Sequence, residues 1–305
     1  MKQDEIEAAH ARIAAHIRRT PIMEADGVSL KLECLQHTGS FKPRGAFNNL
    51  LSRAAPGAGV ATASGGNHGA AVAYAARELG LAAKVFVPDI AAPLKIEKIR
   101  SYGADIHVEG RTYFDALALC EAHVAASGAL AIHAYDSPET VAGQGTVGLE
   151  WERDLAKLGL PGLDTMLVAV GGGGLISGVA AWFAGRARVI GIEPQGSRAL
   201  HAALQAGRPV DVEVKSAAAD SLGARRVGAV NFDICRHAVE RVALVDDAAI
   251  SAAQRKLWRD FNIVTEPGGA AAYAALLSGA YRPGAGERLG VLVCGANADL
   301  ATLAG

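Results

Sequence analysis

Short apolar runs alternate with alanine-rich segments of helical period along this chain. After a helical stretch from residue 4 to about 17, the pattern predicts a strand at 60–62 and a helix over 70–79, then a strand at 84–87 and a helix over 92–102. The rhythm continues with 106–108 then 113–126, and with 166–170 then 175–184. Strands at 189–192, 242–245 and 289–294 complete it. Apolar strands joined by crossover helices form parallel sheets covered on both faces, so the expected architecture is doubly wound α/β. Gly80 and Gly103, at predicted helix ends, read as C-caps before the next strand.

Composition narrows this picture without dividing the chain. With 305 residues, 50% of them apolar, it can bury a large core as one large domain or two ordinary ones. A net charge of -1, with scattered Lys and Arg, gives no basic field for nucleic acid. No apolar run approaches the roughly 20 residues that span a bilayer, and Met1 to Glu5 lack the apolar stretch of a signal peptide, so a cytoplasmic protein is expected. Cys34, Cys120, Cys235 and Cys294 are far apart, which suggests neither a zinc site nor a disulfide framework. No linker or fixed-period repeat marks a domain boundary. Of the histidines, His68 alone lies in a motif; the others read as surface or structural residues.

Four segments concentrate the candidate chemistry. Gly171, Gly172, Gly173 and Gly174 follow a buried strand and open a helix, where successive N–H groups and the helix N-terminus can hold an anion. A tight turn alone does not account for four consecutive entropic costs, so a phosphate cradle is favoured. A dinucleotide would also use such a turn, but the spacing fits G-x-G-x-x-G only loosely, with Glu193 as its sole acidic support. Ser40-Phe41-Lys42-Pro43-Arg44-Gly45 precedes an expected helix from Ala46; Lys42 taken alone is as ordinary as any surface lysine, and becomes a nucleophile only if burial keeps its amine neutral. Ser64-Gly65-Gly66-Asn67-His68-Gly69 is either a second anion pocket or an N-capping turn. Cys294 ends an apolar strand and, alone, reads as core.

Together these segments resemble the threonine/serine dehydratase and serine racemase branch of fold-type II pyridoxal-phosphate enzymes. The likeness also takes in Arg19-Thr20-Pro21-Ile22, Lys31-Leu32-Glu33, Ala142-Gly143-Gln144-Gly145-Thr146, Gly191-Ile192-Glu193-Pro194, Glu266-Pro267 and Cys294-Gly295-Ala296-Asn297, in the family's order along most of the chain. The resemblance implies that Lys42 holds the cofactor as a Schiff base and removes the α proton, that Phe41 packs on the ring, and that Asn67 bonds its phenolic oxygen. It implies that Gly171 to Gly174 and the Leu175 amide bind the phosphate, which protonates the leaving hydroxyl. The loop Ser64, Gly65, Gly66, Asn67 and His68 would hold the substrate carboxylate. A large cofactor domain of residues 1–58 and 137–305, a small mobile domain of 59–136, and a homodimer are likewise implied.

Departures from the family refine the expected reaction, loss of water and ammonia from a β-hydroxy amino acid of the L-threonine or L-serine class. Cys294 stands where the family has Ser or Thr, a weaker but still neutral partner for the ring nitrogen, which favours elimination over transamination. Gly65 stands where serine racemases carry a serine, so racemisation should be poor. Some members bind a divalent cation through the Glu of Glu-Pro and an Asp six residues on; here Glu193 is present but the aligned position is Ala199, so Glu193 is either a ligand or a solvated carboxylate. The space after the last strand leaves no room for a regulatory domain, so a catabolic role is expected. Competing readings are a dehydratase of 3-hydroxyaspartate or phenylserine, a serine racemase, a cysteine synthase-like replacement enzyme, a cofactor-binding regulator, and a nicotinamide-dependent dehydrogenase. Tyr135 to Glu139 and Ser221 to Arg226 are expected to face the substrate, with Arg225 or Arg226 favouring an acidic side chain.

Overall fold

The computed structural model describes residues 1–299. The chain opens with helix α1 (Gln3–Ile13), shorter than expected because Gln36 draws the following backbone into extended form: its amide accepts from Arg18 N at 2.8 Å and donates to Arg18 O at 2.7 Å. Strands β1 (Ile22–Ala25) and β2 (Val28–Lys31) form an antiparallel hairpin. Helix α2 (Lys42–Ser52) begins four residues before the predicted Ala46. Pro43 sits in its first turn, where the missing N–H has no helical partner to lose.

Next comes a four-stranded parallel unit: β3 (Val60–Ala63), α3 (Asn67–Glu78), β4 (Ala83–Val87), α4 (Pro93–Ser101), β5 (Asp105–Val108), α5 (Tyr113–Ser127) and β6 (Leu130–Ala131), in sheet order β5-β4-β3-β6. The long α6 (Pro138–Lys157) leads on to β7 (Thr165–Ala169), α7 (Gly174–Phe183), β8 (Arg188–Pro194), α8 (Ala199–Ala206), α9 (Ala219–Leu222), α10 (Ala229–Ala238), β9 (Arg241–Val245), α11 (Asp247–Phe261), α12 (Pro267–Leu277) and β10 (Leu289–Leu292). Its six-stranded sheet runs β1-β2-β10-β7-β8-β9, parallel apart from the β1 edge. Two mainly parallel sheets covered by helices make the doubly wound α/β architecture. No helix among the described residues is long and apolar enough to cross a membrane.

Strands β3 and β7 are buried at every position, which is why they read as continuous apolar runs. Helix α6 was illegible by periodicity because Gly143, Gly145 and Gly148 interrupt it. Gly143 and Gly145 allow backbone contact: a Cβ on Gly143 would lie 2.5 Å from Arg44 O, and one on Gly178 of α7 would lie 2.4 Å from Gly145 N. Helices α2, α6 and α7 therefore stack at distances that only glycine permits.

Candidate active site

The carboxyl ends of β7 and β10 meet the N-termini of α2, α3 and α7 around one cleft between the two sheets. Lys42 enters it from the first turn of α2. A short backbone connection sets it beside Cys294: Phe41 N donates to Cys294 O at 3.2 Å, and Ser40 bridges Gly295. The Lys42 ammonium lies 5.1 Å from the Phe41 ring centroid and donates to Ala134 O at 2.9 Å. Burial lowers its pKa to about 8, so about a tenth of the amine is neutral at pH 7.

Across the cleft, Gly171 to Gly174 turn from β7 into α7. Among the described residues the N–H groups of Gly172, Gly173, Gly174 and Leu175 meet no acceptor. The carbonyl side of the loop is held away: Gly172 O accepts from Asn231 Nδ2 at 2.8 Å and from Gly228 N at 3.1 Å. Gly173 takes φ of 96°, a left-handed turn that side chains disfavour. The result is a cluster of free donors at a helix N-terminus, an arrangement suited to an anion.

Asn67 begins α3 instead of preceding it, three residues earlier than the helix start expected from the sequence. Its Nδ2 donates to Glu266 Oε1 at 2.5 Å, and its Oδ1 accepts from Asn297 Nδ2 at 2.6 Å. Glu266 is the residue the sequence reading left without a role. It is buried, its carboxyl pKa is pushed up by that burial, and its Oε2 has no hydrogen-bond partner. The Glu266-Pro267 motif was visible, but nothing in it signalled that the carboxyl sits in the cleft. Cys294 lines the same wall; its thiol donates to Gly268 O at 3.4 Å, and burial pushes its pKa up, so it stays neutral.

Other expected residues lie elsewhere. Ser64 Oγ accepts from Gly66 N at 3.3 Å, and Ser64, Gly65 and Gly66 are half-buried outside the cleft walls. A Cβ on Gly65 would lie 2.7 Å from Ala91 Cβ and 3.0 Å from Val87 Cγ1. The His68 ring is buried and bonded to Ile132 O at 3.1 Å, with its pKa lowered to about 3 by desolvation, so only its backbone is left for a ligand. Glu193 is neither solvated nor in the cleft: both of its oxygens accept backbone N–H groups of α8, from Leu200 and His201, at 2.8 Å. Tyr135, Ser221 and Leu222 do line the cleft. Arg225 and Arg226 do not: Arg225 lies over Phe114 at 5.4 Å, and Arg226 pairs at the surface with Asp211 at 2.7 Å.

An amine nucleophile facing an anion cradle, with a flat aromatic face between fixed polar groups, suits a phosphorylated aldehyde. Comparison with known proteins gives the same chemistry. The family described as "Pyridoxal-phosphate dependent enzyme" matches residues 13–295. The phenylserine dehydratase of Ralstonia pickettii is 38% identical, covering 98% of this chain and 94% of that protein. The L-threonine ammonia-lyase of Geobacter sulfurreducens is 36% identical over 98% of this chain and 76% of its own. Among solved structures, maize serine racemase superposes with a TM-score of 0.90 at 33% identity, covering 99% of this chain and 95% of that one. A threonine deaminase from T.th. superposes with a TM-score of 0.91 at 35% identity, covering 98% and 99%.

Proposed function

We propose that this chain, which belongs to the pyridoxal-phosphate dependent enzymes, is a lyase removing water and ammonia from a β-hydroxy amino acid of the L-threonine or L-serine class to leave a 2-keto acid. The observation that carries this reading is the low-pKa amine of Lys42 facing the free N–H groups of the glycine turn. Gly171 to Gly174 and Leu175 would hold the cofactor phosphate, Phe41 its ring face, and Asn67 its ring oxygen. Bound there, pyridoxal phosphate supplies an electron sink conjugated to the substrate's α carbon. Lys42 then holds and moves the α proton, as a general base whose pKa lies close to working pH. Cys294, a neutral thiol turned to Gly268 O, puts no negative charge beside the ring nitrogen, which supports elimination over transamination.

Gly65 gives the second face no acid/base group, and its surroundings leave little room for one, which supports elimination over racemisation. The substrate carboxylate is assigned to the backbone of the Ser64–His68 turn. The segment 59–136, which contains all four strands of the smaller sheet, is the unit proposed to move over it. A cytoplasmic homodimer completes the proposal.

Two measurements test it. Assays of L-serine, L-threonine, threo-3-hydroxyaspartate and phenylserine should show keto-acid release from at least one; none from any of them would refute the dehydratase reading. In the cofactor-free protein, uptake of pyridoxal phosphate should accelerate as pH rises through about 8, because the neutral amine is the reactive form. An unperturbed lysine would not reach that point until about pH 10.4. A rate independent of pH from 7 to 9 would exclude Lys42 as the titrating nucleophile.

A further inference from the structure

Beneath the cleft lies a lattice of four buried charges that the proposed reaction does not use. Arg44 grips Glu33 with Nε and Nη2 at 2.8 and 2.7 Å, and reaches Glu150 of α6 with Nη2 and Nη1 at 3.0 and 3.2 Å. Its Nη1 also reaches Thr146 Oγ1 at 3.2 Å. Lys31, at the end of β2, donates to Glu150 Oε1 and to Thr20 O, both at 2.7 Å, while Thr20 Oγ1 donates to Glu33 Oε1 at 2.5 Å. All four charged side chains are no more than 3% exposed, and Lys31 also reaches the half-buried Asp154 at 3.2 Å on the lattice's outer edge.

A buried lattice of this kind is poor evidence of stability, since well-packed apolar residues often serve as well or better. What it does provide is direction, because a guanidinium fixes its partners along set lines. Arg44 stands two residues after Lys42 on α2, roughly 200° around a helix of 3.6 residues per turn. A grip on Arg44 from below therefore sets the aim of Lys42 above. At the start of α2 Phe41 offers no capping side chain and Pro43 has no N–H, so besides the backbone bond from Phe41 N to Cys294 O the directional hold on the first turn comes from Arg44. The lattice also ties α2 to β2, whose neighbour β10 leads into Cys294, so it fixes Lys42 relative to the opposite wall.

We propose that Arg44 is a positioning residue, whose grip on Glu33 and Glu150 fixes the first turn of α2 and thereby the reach of Lys42 into the cleft. The inference rests on the cofactor role assigned to Lys42. Arg44→Lys keeps the charge and loses the fork. Turnover per bound cofactor should fall about 100-fold, the cost of displacing a reacting group by about an ångström, with KM within about threefold. Incorporation of pyridoxal phosphate without substrate, fixed by borohydride reduction, should slow by about tenfold or more. A lower unfolding midpoint with both rates unchanged would overturn the proposal, because the lattice would then serve only the fold. Should Arg44→Lys fail to fold, Thr146→Val removes one acceptor of the guanidinium and should lower both rates roughly 3- to 10-fold, and unchanged rates would again overturn it. If the wild type releases no keto acid from any substrate, the proposed reaction fails, and the incorporation rates still decide the role of Arg44.

Discussion

Lys42→Ala is expected to lower keto-acid release by about 10⁴-fold, the upper range for loss of a positioned general base. Several features point to so large an effect. The Lys42 amine is the cleft's lysine, its pKa is already lowered to about 8 by burial, and Glu266 and Cys294 beside it are poor substitutes. Glu266 is engaged with Asn67, which holds its Oε1, and Cys294 is a neutral thiol. Lys42→Arg should not rescue the loss, since a guanidinium stays charged and cannot accept the proton. The glycine cradle is untouched by either substitution, so both variants should still bind pyridoxal phosphate noncovalently. A variant retaining more than about a tenth of wild-type turnover would remove Lys42 from the chemistry.

Gly172→Ala is expected to weaken cofactor binding by about 2 kcal/mol, roughly 30-fold, a typical cost of overpacking a fixed site. The added Cβ would lie 2.4 Å from the Tyr135 ring, at Cγ, the base of the ring, and not at a flexible tip. Tyr135 cannot easily retreat. Its carbonyl accepts from Asn231 at 3.1 Å, its N–H donates to the His133 ring at 3.3 Å, and the neighbouring Asp136 carboxylate accepts from Ala229 and Val230 at the start of α10. The strain therefore falls on the amides that would hold the phosphate. Gly172→Ala with Tyr135→Ala should bind the cofactor more tightly than Gly172→Ala alone, a non-additivity that marks direct contact. Titration with pyridoxal phosphate measures both, and wild-type affinity in Gly172→Ala would contradict the cradle.

The parallel strands and their crossover helices were readable because burial on both faces leaves unbroken apolar runs, as in β3 and β7. The tetraglycine turn was readable for a different reason: only a backbone function accounts for four adjacent glycines. Helix α6 and helix α12 were not readable, since Gly143, Gly145 and Gly269 look like loop residues until a neighbouring backbone is known to approach them. Helix α2 starts ahead of the expected Ala46 because Pro43 occupies a first-turn position, where a missing N–H costs no helical bond. Polar residues proved hardest. His68 and Glu193 looked like candidates for ligand contact, but bond to Ile132 O and to the α8 amides, while Glu266 gave no sign in its local pattern that it would bond Asn67 199 residues away. Arg225 and Arg226 sit near Ser221 in sequence, yet the chain turns them out to Phe114 and Asp211. Local spacing reports which backbone can approach a ligand, and says little about which way a side chain separated by a whole domain will face.

If Lys42 carries the cofactor, chemical trapping will find it there. The purified protein, saturated with pyridoxal phosphate, is reduced with borohydride, digested, and its peptides are sequenced by mass spectrometry. The pyridoxyl label is predicted on the peptide containing Lys42 and on no other lysine; a label elsewhere, or none after saturation, would contradict the assignment.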